Sequence, residues 1–526
     1  MPTDDLNIRH SFGGGWATDF GPVTDAAPDP NGLISIPFLI DAENVFFDLD
    51  GGPRKIPGQT ALNGSAMAGG AEVLGIFDYW DTGTGTTSQQ HRIAHAGGFV
   101  FKDDADGSFS PIFTVTAGAV PAYAVLEDLL IIADDSNNAP NSWDGTTAQA
   151  LAGSPPNFAF VVEHKNRLWA AGVAANSSRL YYSASLDPAD WTGSGSGSID
   201  ISPRDGDRIT GLISHNNELL IFKGPYKGSI HRITGSAPTG DDAFARKTLV
   251  IGVGSAGHNC IFRFRNDVGF VWSDGTVRSI SGTERYGDFA EAALSRPINQ
   301  NFMGSRVSQN ALNKCWANND DAGGRVLITM PVDGSNVPNA VLAYDYRFEP
   351  GRWSYVPNIS ARCLASVIDP TSNNRRIVMT GGTDGVIYKW SNPTRTNGGA
   401  ISSVVTTPGF SYGVPIVMKT IVKGGVGITP FNDGDITLNV RRDNNTIQAY
   451  TIASSGFDVL GSASANQFTL GTSQLAGDMN IDIYDDNVTG EFHSISYQVT
   501  HVTDSEDFGL NNISAAIQGG AWSTEL

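Results

Sequence analysis

Between about Val73 and Trp390 short apolar runs alternate with Gly, Asn and Asp turns, and the alternation repeats. Val125-Leu-Glu-Asp-Leu-Leu-Ile-Ile-Ala133 leads into Trp143-Asp-Gly-Thr146, and Phe160-Val-Val-Glu-His-Lys-Asn-Arg-Leu-Trp-Ala-Ala171 leads into Arg179-Leu-Tyr-Tyr-Ser183. The same phrase returns as Leu212–Phe222 before Ser229–Ile233, as Ile261–Trp272 before Asp274–Ile280, and as Arg376–Met379 before Asp384–Trp390. Copies recur at roughly 40 to 50 residues, the period of a four-stranded propeller blade. A single blade cannot bury both faces, so several must pack around an axis. The pattern predicts an all-β chain with a β-propeller of about six to eight blades, the count left open by degenerate copies near 73–120 and 311–357.

The Asn-Asp, Asp-Gly and Gly-Thr punctuation supports hairpins, because Gly, Asn and Asp accept positive φ at least cost. The most helix-like window, Asp288–Ser295, is short. Three regions are expected: an N-terminal arm with its opening strands over 1–66, the propeller over 67–395, and, after the linker Ser391-Asn-Pro-Thr-Arg-Thr-Asn-Gly-Gly399, a C-terminal β-sandwich over 400–526. Expected sandwich strands include Ile416–Val422, Asp435–Val440, Met479–Tyr484 and Phe492–Val499, the last alternating apolar and polar as a half-buried strand does.

Composition narrows the function. At 526 residues, with 61 Gly, 26 Pro and 40% hydrophobic residues, the chain suits a turn-rich β fold with ample core. A formal net charge of −20 and a pI near 4.7 argue against a general nucleic-acid binder, which needs clustered Lys and Arg against phosphate. Cys260, Cys315 and Cys363 sit singly among strand-like residues, an odd count without metal spacing, and are expected to be buried reduced thiols. Met1–Leu6 has neither a basic nor an apolar leader segment, and no window approaches a membrane-spanning length, so neither ordinary secretion nor a membrane span is expected.

The search for chemistry yields no catalytic, cofactor-binding or metal-binding residues. No nucleophile elbow, phosphate loop or zinc-protease helix motif is present. His91 and His95 fall on one face of a predicted strand about 13 Å apart, too far to share a metal. Asp103, Asp104 and Asp106 before Gly107 superficially suggest calcium, but Lys102 stands where the first ligand belongs, and a hairpin tip accounts for them. Asn318-Asn-Asp-Asp321 ahead of Gly323 reads the same way. Gly13-Gly-Gly15 lacks the helix a phosphate cradle requires. Trp143, Trp169, Trp191, Trp272, Trp353 and Trp390 close strands, where inter-blade packing is favoured over sugar stacking.

Two phrases resemble the nozzle, or tail tubular B, proteins of short-tailed bacteriophages, a family of β-propeller tail proteins. The first is Ala42-Glu-Asn-Val-Phe-Phe47 with Gly51-Gly-Pro-Arg-Lys-Ile-Pro-Gly58. The second is Leu180-Tyr-Tyr-Ser-Ala-Ser-Leu-Asp-Pro-Ala-Asp-Trp191, followed by Asp205–Leu212, Leu219–Lys223 and Gly228–Ile233. The resemblance covers roughly residues 10 to 395 and rests on structural phrases. Locally, Gly51 and Gly52 permit a reversal and Pro53 fixes φ for the departing strand, while Arg54 and Lys55 are candidates to pair with an acidic neighbouring subunit.

The resemblance implies a virion tail component made in the host bacterial cytoplasm. Its expected assembly is a homo-hexamer ring below the portal and adaptor, near tail fibres or spikes, that continues and closes the genome-ejection channel. Genomic DNA would pass without sequence-specific binding. Six copies would carry 6 × −20 = −120 formal charges, so an acidic or neutral lumen is expected, since a basic wall would hold the moving phosphates. The alternative is a tail-associated polysaccharide-binding or depolymerising propeller. A glycosidase would need two carboxylates across a cleft, and a receptor module would show an exposed aromatic cleft with trimeric or monomeric assembly.

Overall fold

The computed structural model describes residues 6–519 except 13, 21–22, 25–32, 36–37, 83–87, 136–137, 287–292, 360, 393–399, 413–416, 430–435, 444, 453–478, 483–490 and 503–507. The chain divides into two units: 1–59 with 343–357 and 391–526, and 60–342 with 358–390.

The second unit is a β-propeller of seven blades, six of them separate antiparallel sheets and the remaining one the antiparallel pair Ala317–Asp320 with Arg325–Met330. Blade 1 runs Val73–Asp81, Gln89–Ala96, Phe99–Asp103 and Phe109–Thr114; blade 2 runs Pro121–Leu126, Leu129–Asp134, Asn141–Trp143 and Ala148–Ala150. Blade 3 comprises Phe160–Glu163, Leu168–Ala171, Arg179–Tyr182 and Gly197–Asp200, and blade 4 comprises Arg208–His215, Glu218–Gly224, Ser229–Thr234 and Ala245–Ile251. Blade 5 has three strands, Ile261–Phe264, Asp267–Val271 and Val277–Ser279, and blade 6 begins with Ala317–Asp320 and Arg325–Met330. Blade 7 is Cys363–Asp369, Arg375–Gly381 and Ile387–Asn392, completed by Gly58–Ala61. The first strand of each blade touches that of the next, and Cys363–Asp369 touches Val73–Asp81, which closes the ring at seven. The degenerate copies that left the count open are blades 1 and 6.

Between blades lie the apolar clusters that the repeat demands. Tyr79, Ile93 and Val100 pack with Leu130 and Trp143; Ile131 and Leu151 with Phe158 and Trp191; Trp169 and Leu180 with Ile209 and Ile221; Phe222 and Ile230 with Phe270 and Trp272; and Ile76 and Ala94 with Val367 and Met379. Strand alternation puts one side chain in two on each neighbour, so blades 1 to 4 each contribute to two of these clusters. The α-helix Ile280–Tyr286 directly precedes the window expected to be most helical, most of which lies outside the described residues.

The first unit departs from the three-part division. The opening strand Leu6–Ser11 pairs antiparallel with Gly509–Gly519, in register Leu6↔Ile517 to Ser11↔Asn512, so the N-terminal arm is built into the C-terminal sheet. Lys419–Thr429 and Met479–Asp482 extend that sheet. A second sheet carries Ile495–His501, Ser403–Thr406, Ile436–Arg442 and Asp41–Glu43, the last paired in parallel with Arg352–Val356. His10 of one sheet packs on Phe410 and Tyr497 of the other, ring centroids 4.4 and 5.7 Å apart. Of the expected sandwich strands, Ile416 and Asp435 lie outside the described residues, as do residues 483–484.

The Asp48–Lys55 phrase is a hairpin: Val45–Phe47 pairs with Pro53–Lys55, and Gly51 sits at φ +89°. Gly52 is required for a different reason. A Cβ there would stand 2.4 Å from the Leu510 carbonyl oxygen, a backbone atom with little room to retreat. Gly52→Ala is expected to cost about 1–3 kcal/mol of first-unit stability by overpacking. The shift in denaturation midpoint of purified variant and parent measures it.

Candidate functional site

Sequence motifs for chemistry resolve mostly into scaffold. His91 and His95 both lie on Gln89–Ala96, as expected. His91 is held between Asp104 Oδ1 at 2.9 Å and Asp81 Oδ2 at 3.2 Å, while His95 is buried with neither ring nitrogen partnered among the described residues. Asp103 Oδ1 accepts the backbone N–H groups of Asp106 and Gly107, and Asp320 Oδ1 accepts that of Gly323, so both acidic runs are hairpin tips. Among the described residues no group of three His, Cys, Asp or Glu side chains could hold a metal ion. The three cysteines are buried free thiols, and burial pushes the Cys315 and Cys363 thiols well up. Of Gly13–Gly15, Gly13 lies outside the described residues; Gly15 lies against the backbone of Arg352 and Trp353.

The six strand-closing tryptophans named above are all buried. Trp143, Trp169, Trp191 and Trp272 join the inter-blade clusters. Trp353 belongs to the first unit, its ring 4.8 Å from that of Tyr344.

The phrases Ala42–Gly58 and Leu180–Ile233 also acquire physical roles. Lys223, fully buried, directs Nζ at both oxygens of Asp205 (2.8 and 2.7 Å) and at the carbonyls of Ile201 and Ser202 (2.9 and 2.8 Å). Burial opposes ionisation of Asp205, yet the hydrogen bonds from Lys223 and from the Asp207 N–H hold its carboxyl below the usual range. Asp207 in turn accepts the N–H groups of Tyr226, Lys227 and Gly228 and shapes the turn after the strand carrying Lys223. In the first unit Asn44 donates Nδ2 to the Ser402 carbonyl at 2.6 Å. Lys55 corrects the expectation of a subunit contact: it is 1% exposed and donates Nζ to His501 Nδ1 at 3.2 Å. Arg54 lies 3.8 Å from Asp48 of its own hairpin.

The ring leaves cavities along its axis, which periodicity could not reveal because their walls come from many blades. One, of about 190 Å³, is lined by Asp135, Phe160, Arg208 and Thr210; another, of about 400 Å³, by Asp78, Trp80, Trp316 and Arg376; His258 and Asn259 line both. His258 stacks on Phe160 with ring centroids 5.1 Å apart, and burial lowers its pKa to about 4, so it is neutral at pH 7. Its Nδ1 accepts the Leu212 N–H at 3.3 Å, which assigns the ring proton to Nε2. Each cavity has one carboxylate among its described lining residues, Asp135 or Asp78.

No protein-family model matches the chain, and no curated protein matches it. Solved structures resemble it in part. YCF48 bound to a D1 peptide is 10% identical with a TM-score of 0.35, over 64% of this chain and 98% of that one. BamB from Moraxella catarrhalis is 12% identical, TM-score 0.36, over 67% and 99%. A gluconolactonase from Xanthomonas campestris is 12% identical, TM-score 0.33, over 70% and 98%. Likeness at this level carries nothing about function. No helix among the described residues is long and apolar enough to cross a membrane.

Proposed function

We propose that the chain is a structural virion protein forming the distal nozzle ring of a short phage tail, continuing and closing the DNA-ejection channel. The observation that supports this reading most is the use made of the phrases resembling nozzle proteins. Asn44, Gly51, Gly52, Asp205, Asp207 and Lys223 all anchor backbone, and none contributes to a reactive constellation. A shared phrase that works only as scaffold is what a shared structural role requires. The net charge of −20 is compatible with a conduit that does not retain DNA. The depolymerising alternative stands second, since each axial cavity offers a single carboxylate among its described lining residues where glycoside hydrolysis requires two.

The test is stoichiometry. Calibrated protein quantification on particles containing this chain is expected to give about six copies per particle, and imaging a ring with an open or plugged lumen. A trimeric or monomeric species in the particle, or a lumen dominated by basic side chains, would overturn the assignment.

A further inference from the structure

We propose that the 400 Å³ axial cavity binds a saccharide unit carrying a carboxylate, a hexuronic acid or a residue of similar chemistry. This site is independent of the nozzle reading. Its volume falls within the roughly 300–1,000 Å³ of small-molecule sites, and its wall is drawn from blades 1, 2, 6 and 7 and the turn His258–Cys260 that leads into blade 5, so it exists only in the closed ring.

The hydrogen-bonding inventory selects the ligand. The one carboxylate in the described wall, Asp78, is already committed: Oδ1 accepts Gln90 Nε2 at 2.7 Å, and Oδ2 accepts Trp80 Nε1 and the Ile368 N–H, both at 3.2 Å. Donors on the wall are less engaged. Asn259 Nδ2 reaches the Pro121 carbonyl at 3.4 Å, and Asn318 Nδ2 the Asn319 carbonyl at 3.3 Å, both long bonds. His258 keeps its proton on Nε2. Arg376 is exposed on the second strand of blade 7 and lies on the cavity wall, its guanidinium outside the ion pairs found among the described residues.

With its one described carboxylate already satisfied and a guanidinium on its wall, the cavity favours an anion, and a guanidinium matches a carboxylate in geometry as well as charge. Trp80 and Trp316 add broad apolar faces suited to the C–H face of a sugar ring. The Trp80 indole, 40% exposed, is oriented by its bond to Asp78. Ring hydroxyls would then meet Asn259, Asn318 and His258, which a simple carboxylate could not reach together with Arg376. Nearby, the Tyr123 hydroxyl and Ser366 Oγ are buried without a partner among the described residues, a further sign of polar capacity in the wall.

Glucuronic acid, galacturonic acid, glucose and acetate, titrated separately into the full chain and followed by saturation-transfer NMR and calorimetry, test the proposal. The uronic acids are expected to bind more tightly than glucose or acetate. Arg376→Leu should weaken uronate binding by about tenfold or more, the loss of a charge-assisted hydrogen bond, with Arg376→Lys retaining part of the affinity. Because Arg376 is exposed, an unchanged thermal midpoint shows that the variant is folded. Absence of uronate binding, uronate binding unaffected by Arg376→Leu, or equal binding of glucose or acetate would each overturn the assignment.

Discussion

Acidification from pH 6.5 to pH 4 is expected to destabilise the propeller steeply through its histidines. Burial is the largest cause that lowers the pKa of His95, His164, His231 and His258 from 6.5 to about 4. Above pH 6.5 each is neutral in folded and unfolded chains alike, and the stability associated with that neutrality is complete. Below pH 6.5 the unfolded chain takes up protons that the folded one refuses, so stability falls until the folded pKa is passed near 4. Each histidine contributes at most about 1.4 kcal/mol per pH unit, and the four together about 5 kcal/mol per pH unit. Asp103 contributes with the opposite sign. Burial raises its carboxyl above the ordinary value, so its own contribution is present at low pH and lost as pH rises. Proton uptake on unfolding near pH 5, measured calorimetrically in buffers of different ionisation enthalpy, should approach four from these histidines. His95→Gln should remove about one of them. An uptake below one proton would show that the imidazoles titrate normally in the fold.

Arg92→Met is expected to be the most destabilising single substitution at the closure of the ring. Arg92 Nη1 lies 3.3 Å from Asp103 Oδ2, and Nη2 lies 3.5 Å from Asp369 Oδ1, with all three side chains no more than 1% exposed. Lys389 Nζ approaches Asp369 Oδ2 at 3.3 Å. Arg92 and Asp103 belong to blade 1, Asp369 and Lys389 to blade 7, so the network joins the first blade to the last. Removing the guanidinium leaves buried carboxylate charge uncompensated, a loss of about 3–5 kcal/mol when one partner of a buried pair is deleted. Arg92→Met combined with Asp103→Asn should recover part of the loss, because the stranded charge is removed as well. Denaturant midpoints of the parent, single and double variants decide it; a single-variant loss under about 1 kcal/mol would mean that the network contributes little to closure.

Neither prediction could be made from the sequence. Arg92 stands in an unremarkable strand, 277 positions before Asp369 (369 − 92), and no local pattern ties the two. Lys55 shows the same limit: beside Arg54 it reads as surface charge, whereas pairing of the N-terminal strands with the C-terminal sheet buries it against His501. The wall of the axial cavity is scattered from Ile76 to Arg376 and has no motif. A signal existed only for its aromatic members, and Trp80 and Trp316 were hidden among tryptophans that pack between blades.

Alternation of apolar and polar positions, with Gly, Asn and Asp at the reversals, determined that this chain folds into hairpin sheets, that the six strand-closing tryptophans are buried and that the acidic runs turn corners. Those properties depend on neighbours a few residues away, which a linear sequence records. The seven-blade count, the merging of both chain ends into one unit, the Arg92 network and the composition of the axial cavity were decided only by the tertiary structure. Each depends on which distant strands meet, and period-two patterning shows which face a side chain occupies without naming the strand or the blade that covers it.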